Sequence, residues 1–267
     1  MSVPKISLRK LIMKTKNLKS DTQFLEIVLA NMEKVEREQI GNIQKAAEMM
    51  ADAIAQDKLI HVYGGGGHTC LCVCEMFFRA GGLACINPIM DIAISPFNQS
   101  LKYLEIERTV NYARGIIRYY DLKKDDVLII FHNIGVNPAT IDAALESKER
   151  GVKIIAISSS YWQNELPPDH FIRHPGGQNL FDLADICIDD YNPVGDAVIN
   201  MEGLGTPLAP ISGIVDFYII HRLEIETVKK LLARGIDPPV WRSANVPGGD
   251  AFNAKYVAKY SPLVKNL

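Results

Sequence analysis

Leu59-Ile60-His61-Val62-Tyr63-Gly64-Gly65-Gly66-Gly67-His68-Thr69 is a short apolar run that stops abruptly in four consecutive glycines. A buried strand that ends in a glycine turn and opens into a helix is how α/β proteins present backbone N–H groups to a ligand. Small residues allow close approach, and the helix N-terminus carries partial positive charge. A purely structural turn needs glycine as well, so this stretch marks a candidate site only if other loops converge on it.

Working outward, the chain alternates strand and helix. Residues 69–80 are predicted as a helix, stopped by Gly81-Gly82, and residues 84–87 as a second strand. Residues 88–100, with Pro88 and Pro96, read as a loop, followed by a helix over 101–120. The run 126–131 is a third strand, and Asn137 as N-cap with Pro138 at the first helical position opens a helix to about 150. Strands are predicted at 152–157 and 185–188, an irregular connection at 161–180, a long helix at 210–234 and a short terminal helix. Upstream, apolar residues recur every three or four positions from 21 to 56, the pattern of one long amphipathic helix or of two broken near Gly41.

Five strands with right-handed helical crossovers make an α/β fold, a doubly wound five-stranded parallel sheet with helices on both faces. Ligands of such sheets bind at the carboxyl ends of the strands, at the switch point. Three loops should meet there, and their candidate substrate-binding residues are Gly65, Gly66, Gly67, His68 and Thr69, then His132, Asn133, Gly135 and Asn137, then Ser158, Ser159 and Ser160. With no Walker lysine and no spaced GxGxxG, the loops argue against a nucleoside triphosphatase and a dinucleotide-dependent dehydrogenase. Hydrogen-bond donors without a fixed cation suit a sugar phosphate or a polyol.

The 267 residues are 48% hydrophobic and 22% charged with a formal net charge of −2, so no partnership with nucleic acid or an anionic membrane is expected. Residues 1–20 are a basic N-terminal extension with no acidic residue, read as a solvated segment, ahead of one domain over 21–267. Cys70, Cys72 and Cys74 alternate on a helix, where they point in different directions; they read as small buried hydrophobes rather than a metal cage. Free thiols and the lack of a secretory leader point to the cytoplasm.

Several stretches together resemble the sugar isomerase (SIS) domain superfamily, and most of all its phosphoheptose-isomerase-like phosphosugar-binding branch. They are His61-Val62-Tyr63-Gly64 with His68-Thr69, the run from Glu75 to Gly82, residues 126–137, Glu202-Gly203-Leu204-Gly205, and Ser243-Ala244-Asn245-Val246 with Gly248-Gly249-Asp250. The resemblance spans about 22–260. It implies a single SIS domain, assembled as a homodimer or higher homo-oligomer with sites near the interfaces.

It further implies aldose–ketose isomerisation through an enediol, with Glu75 as the base and His221 opening the ring or shuttling the proton. Desolvation by Met76, Phe77 and Phe78 would raise the Glu75 pKa toward neutrality. The plainer readings are that Glu75 pairs with Arg79 one turn on and that His221 is a hydrogen-bonded core residue. A non-catalytic phosphosugar sensor and an amino-sugar phosphate lyase or etherase are the alternative functions.

No cofactor is expected. Zinc serves some proteins of this kind, and His68, His132 and Glu75 are the residues that could offer ligands, although no spacing compels a metal. The second loop departs from the family pattern Ser-x-Ser-Gly: the matching positions are His132-Asn133-Ile134-Gly135. Each lost hydroxyl contact to phosphate is worth on the order of 1.5–3 kcal/mol, which His132 would have to replace.

Overall fold

The structure is a computed structural model that describes residues 23–97 and 99–267; the basic extension at 1–20 lies outside them. Helix α1 (Gln23–Ala55) leads into β1 (Ile60–Gly64), α2 (Cys70–Met76), β2 (Ile86–Ile89), α3 (Ser100–Glu107), α4 (Tyr112–Tyr120) and β3 (Val127–Phe131). There follow α5 (Pro138–Glu149), β4 (Lys153–Ser158), α6 (Ser160–Glu165), α7 (Leu180–Leu183) and β5 (Ile186–Asp189). The chain finishes with β6 (Ala197–Ile199), β7 (Leu208–Pro210), α8 (Ser212–Ala233) and α9 (Gly249–Tyr260).

The five-stranded sheet has the order β2-β1-β3-β4-β5 and every pairing in it is parallel. The expected doubly wound sheet is therefore present, with its switch point between β1 and β3. Strand side chains alternate between two apolar layers, as a period of two requires. Ile60, Val62, Val127, Ile129 and Phe131 face the α1, α2, α8 and α9 layer. Tyr63, Leu128, Ile130, Ile154 and Ala156 face the α4, α5 and α7 layer. Both faces are covered, which is why these strands read as unbroken apolar runs.

Of the two alternatives for the first segment, the single long helix is the one present: α1 is continuous through Gly41, whose position meets nothing nearby. Several local expectations are corrected. Helix α2 is seven residues rather than twelve, because Phe77 turns extended and Phe78 adopts a positive φ. The second strand lies at Ile86–Ile89 and includes Pro88, which an edge strand tolerates because one side needs no donor. The helix expected over 101–120 is two helices, divided at Asn111, whose φ is 69°. The break has a tertiary cause: the buried Asp142 carboxylate on α5 accepts the Asn111 N–H at 2.5 Å. The β6–β7 antiparallel ribbon was not foreseen, and Glu202-Gly203-Leu204-Gly205 forms its exposed connection.

On the α4–α5 face, Glu146 accepts two hydrogen bonds from Arg118 at 2.9 and 2.8 Å, one from Arg150 at 3.0 Å and one from Arg114 at 3.3 Å. These guanidinium groups, Arg118 foremost, pull its pKa down to about 2. A carboxyl depressed in the folded state stabilises above its unfolded pKa and loses that contribution as pH falls through the folded value. Glu146→Gln should therefore cost about 2–3 kcal/mol at neutral pH, discounted for solvent around Arg118, and the deficit should vanish near pH 2. Urea titrations at both pH values check this; a pH-independent deficit would refute the electrostatic account.

Candidate functional site

The three loops named from the sequence do converge. Gly64 pairs with Phe131 in register, the Gly65 N–H donates to the Phe131 carbonyl at 3.1 Å, and the His132 N–H donates to Ile157 at 3.1 Å. The Ser159 N–H reaches the Asn133 carbonyl at 3.0 Å. The carboxyl ends of β1, β3 and β4 thus form one continuous shelf.

Much of that shelf is occupied by the chain itself. A Cβ on Gly64 would lie 2.5 Å from the Thr69 main-chain oxygen and 2.8 Å from the Cys70 nitrogen. Neither backbone atom can yield, so Gly64→Ala should destabilise by about 1–3 kcal/mol, read as a lower denaturation midpoint; an unchanged midpoint would show the turn to be slack. At Gly65 a Cβ would meet Thr140 Oγ1 at 2.1 Å and His132 Cδ2 at 3.2 Å. At Gly66, φ 137°, it would meet Glu107 Oε2 at 2.2 Å, and at Gly67, φ 56°, the Tyr103 hydroxyl at 3.4 Å. His68 is exposed, while Thr69 is buried and donates its hydroxyl to the Gly66 carbonyl at 2.5 Å.

The second loop is a buried polar network. His132 Nδ1 accepts the Gly135 N–H at 2.9 Å, and Nε2 faces the Asn137 amide at 3.0 Å. Burial pushes the His132 pKa down to about 3, so the imidazole is neutral and cannot supply the charge that the lost serines would have called for. Asn137 caps α5 through the Thr140 N–H, and Gly135, φ 66°, sits where a Cβ would press on Ser158 Oγ. The serines of the third loop are also engaged: Ser158 donates to the His132 carbonyl and Ser159 to the Asn192 carbonyl, each at 2.6 Å. The Ser160 N–H donates to Asp189 at 3.1 Å.

Residues that the sequence reading missed surround this shelf. Glu107, at the end of α3, is 9% exposed against Gly66; burial raises its pKa, opposed by the Asn137 amide that donates to it. Nothing in the spacing of a surface-like helix distinguishes it from Glu105. Beneath the shelf, Asn133 Nδ2 donates to Asp190 and to Asp216 at 2.9 Å each. Desolvation drives the Asp190 pKa up to about 7 and raises that of Asp216 well above the carboxylate range, with Asp189 opposing ionisation of Asp190 and Asp190 that of Asp216. A cavity of about 340 Å³ opens beside the shelf at the ends of β1 and β2, bordered by Gly64, Cys70, Cys74, Asp91 and Ser95. A larger hollow of about 440 Å³ lies at the opposite, amino ends beside Val127 and Lys153, away from the switch point.

Glu75 and His221 form a second centre. The Glu75 carboxylate meets His221 Nε2 at 3.2 Å and Arg79 Nε at 3.0 Å, and His221 Nδ1 meets Glu224 at 3.2 Å. Glu75 does pair with Arg79 one turn on, alongside the histidine contact, whereas the His221 side chain is 48% exposed rather than core. The expected apolar surround of Glu75 is incomplete, because Phe78 is 57% exposed and turns onto Trp241. Glu224 also accepts the Leu83 N–H, so this centre lies beside the approach to β2, roughly 8 Å along α2 from the glycine loop.

The histidines and cysteines sort themselves. His61 is structural, bonded to Asn87 at 2.9 Å and facing Asp126 at 3.6 Å. Cys72 is buried, Cys70 half-buried and Cys74 exposed, so Cys74 is not the buried hydrophobe expected. His68, His132 and Glu75 do not gather, and among the described residues no group of three or more His, Cys, Asp or Glu side chains could hold a metal ion. No helix among the described residues is long and apolar enough to cross a membrane.

Comparison with known proteins supplies the lineage. A phosphoheptose isomerase from Francisella tularensis is similar with a TM-score of 0.49 and 13% identity, over 84% of this chain and 99% of that one. The UPF0309 protein Teth39_1980 of Thermoanaerobacter pseudethanolicus is 35% identical over 249 residues, 92% of this chain and 99% of the relative. The UPF0309 protein TTE0306 of Caldanaerobacter subterraneus subsp. tengcongensis is 32% identical over 91% of this chain and 98% of the relative. The family model described as the SIS domain matches residues 23–159. That model covers more than half of the chain, and the chain belongs to the SIS-domain family.

Proposed function

We propose that this protein binds a sugar or sugar phosphate that reaches from the glycine loop at the carboxyl end of β1 to Glu75 and His221, roughly 8 Å along α2, and isomerises it there between aldose and ketose by enediol proton transfer. The observation that carries the reading is the contact at 3.2 Å between Glu75 and His221, residues far apart in sequence that α2 and α8 bring together. A carboxylate can take the proton from the carbon beside the carbonyl and return it to the neighbouring carbon. An imidazole beside it can move the oxygen-bound proton. Glu224, whose pKa burial raises, holds the far nitrogen of the ring, and Arg79 keeps a positive charge beside the base. The SIS domain extends over 21–267 in this reading, in a cytoplasmic homo-oligomer.

A second reading, a sugar-binding protein without catalysis, is favoured by the engagement of the Ser158 and Ser159 hydroxyls with main-chain carbonyls. Solvent-deuterium wash-in separates the two. The purified protein is incubated in deuterium oxide with aldoses, ketoses and their phosphates, and the recovered sugars are weighed by mass spectrometry. Isomerase chemistry incorporates deuterium at the carbons next to the carbonyl; binding seen by thermal shift without incorporation in any sugar would rule it out and leave the binding reading.

A further inference from the structure

We propose that Glu107 sets the ligand class of the glycine loop: its carboxyl group, lying against Gly66, makes the site take hydroxyl groups of an unphosphorylated sugar or polyol and turn a phosphate away. The inference rests on the sugar-binding reading of this shelf and names which sugars it admits.

The geometry is close on all sides. Glu107 Oε2, Cδ and Cγ lie 2.2, 2.7 and 2.9 Å from where a Cβ on Gly66 would stand, so only a glycine lets the carboxyl group rest on the loop. The group is 9% exposed, and the Asn137 amide favours its ionised form against burial. It therefore stands between the glycine turn and Asn137 at the N-terminus of α5, the two features that would otherwise attract an anion. A phosphate brought within a few ångströms of a poorly solvated carboxylate is repelled.

Among the described residues, the one cation that acts on Glu107 is Arg108, whose charge favours the ionised carboxyl, against burial. The three loops, 64–69, 132–137 and 158–160, contain no lysine or arginine. His132 is neutral, and the Ser158 and Ser159 hydroxyls donate to main-chain carbonyls. The guanidinium of Arg108, next to Glu107 in sequence, lies over the Phe171 ring at 5.1 Å. What the loop does offer suits a hydroxyl. Thr140 Oγ1, fully buried and without a hydrogen-bond partner, is aimed at Gly65, and the Tyr103 hydroxyl stands over Gly67. A carboxyl group can accept from a sugar hydroxyl when ionised and donate to one when protonated.

The test compares the wild-type protein with Glu107→Gln, which keeps the shape and removes the charge, and Glu107→Ala, which also opens the space. Melting temperatures are read in millimolar inorganic phosphate against chloride of equal ionic strength, and with matched pairs of hexoses and hexose phosphates. The wild type should show no phosphate-specific stabilisation. Both variants should gain one, with affinity for phosphorylated members rising at least about tenfold over that of the wild type.

Stabilisation of the wild type by inorganic phosphate equal to that of the variants, or no gain in either variant, would overturn the proposal. The two readings fail separately. Unphosphorylated sugars that bind without deuterium exchange would leave the ligand class intact and remove the isomerase. Exchange into hexose phosphates alone would keep the isomerase and remove the role of Glu107.

Discussion

Glu75→Gln is expected to lower solvent-deuterium exchange into a bound aldose by roughly 10²–10⁴-fold, the range that a positioned general base contributes. The amide keeps the length and shape of the side chain and can still reach Arg79, but it cannot accept a proton from carbon. Folding should change little. Arg79 is 58% exposed and His221 48% exposed at their contacts with Glu75, so solvent screens both interactions and their loss should cost under about 1 kcal/mol. Removing the Glu75 charge also relieves Glu224, whose ionisation Glu75 opposes.

His221→Asn serves as the companion variant. If His221 moves the oxygen-bound proton, exchange at carbon should persist more strongly than net isomerisation, because the base remains. Exchange that survives Glu75→Gln at the wild-type rate, in a protein with an unchanged melting temperature, would take Glu75 out of the mechanism.

The second large effect concerns stability. Asp216→Asn should stabilise the protein above pH 7, because burial, and next the charge of Asp190, hold the Asp216 carboxyl well above the usual carboxylate range. Asp190 and Asp216 are 0% and 2% exposed; the Asn133 amide donates to both, the Cys72 thiol to Asp216, and the Asn192 N–H to Asp190 at 2.9 Å. Their folded pKa values lie above the unfolded ones. Stability is therefore full below about pH 4, falls as the unfolded chain ionises, and stops falling once pH passes the folded values. The asparagine oxygen can keep the hydrogen bonds from Asn133 and Cys72 while the charge is gone.

Urea denaturation at pH 5 and pH 8 should thus show a small difference between wild type and variant at the lower pH and a large gain for the variant at the higher one. A variant that loses stability at pH 8 would show instead that the pair is ionised in the folded protein and compensated by a bound cation.

These predictions depend unequally on what the sequence displays. The sheet was legible because burial on both faces demands unbroken apolar strands. Runs such as 127–131, bounded by turn residues, have few other interpretations. The convergence of Gly64–Gly67, His132–Asn137 and Ser158–Ser160 followed from strand order alone. Boundaries failed where a distant residue decided them: the division of α3 from α4 depends on Asp142, thirty-one residues beyond Asn111, capturing a backbone N–H. The β6–β7 ribbon escaped because three-residue strands carry too little periodicity to register.

The site divides in the same way. Local chemistry in the chain was enough to fix the fold class, the positions of the three loops and the absence of a cationic phosphate grip in them, while the resemblance to sugar isomerases pointed to Glu75 and His221 as the residues to watch. Only the tertiary structure decided what each group can do. Burial makes His132 neutral, main-chain carbonyls engage the serines, α2 and α8 set Glu75 beside His221, and the end of α3 lays Glu107 on Gly66. The physical reason is that backbone pattern is a property of neighbouring residues. Protonation, hydrogen-bond engagement and the charge facing a glycine loop are set by groups that meet only when the chain has folded.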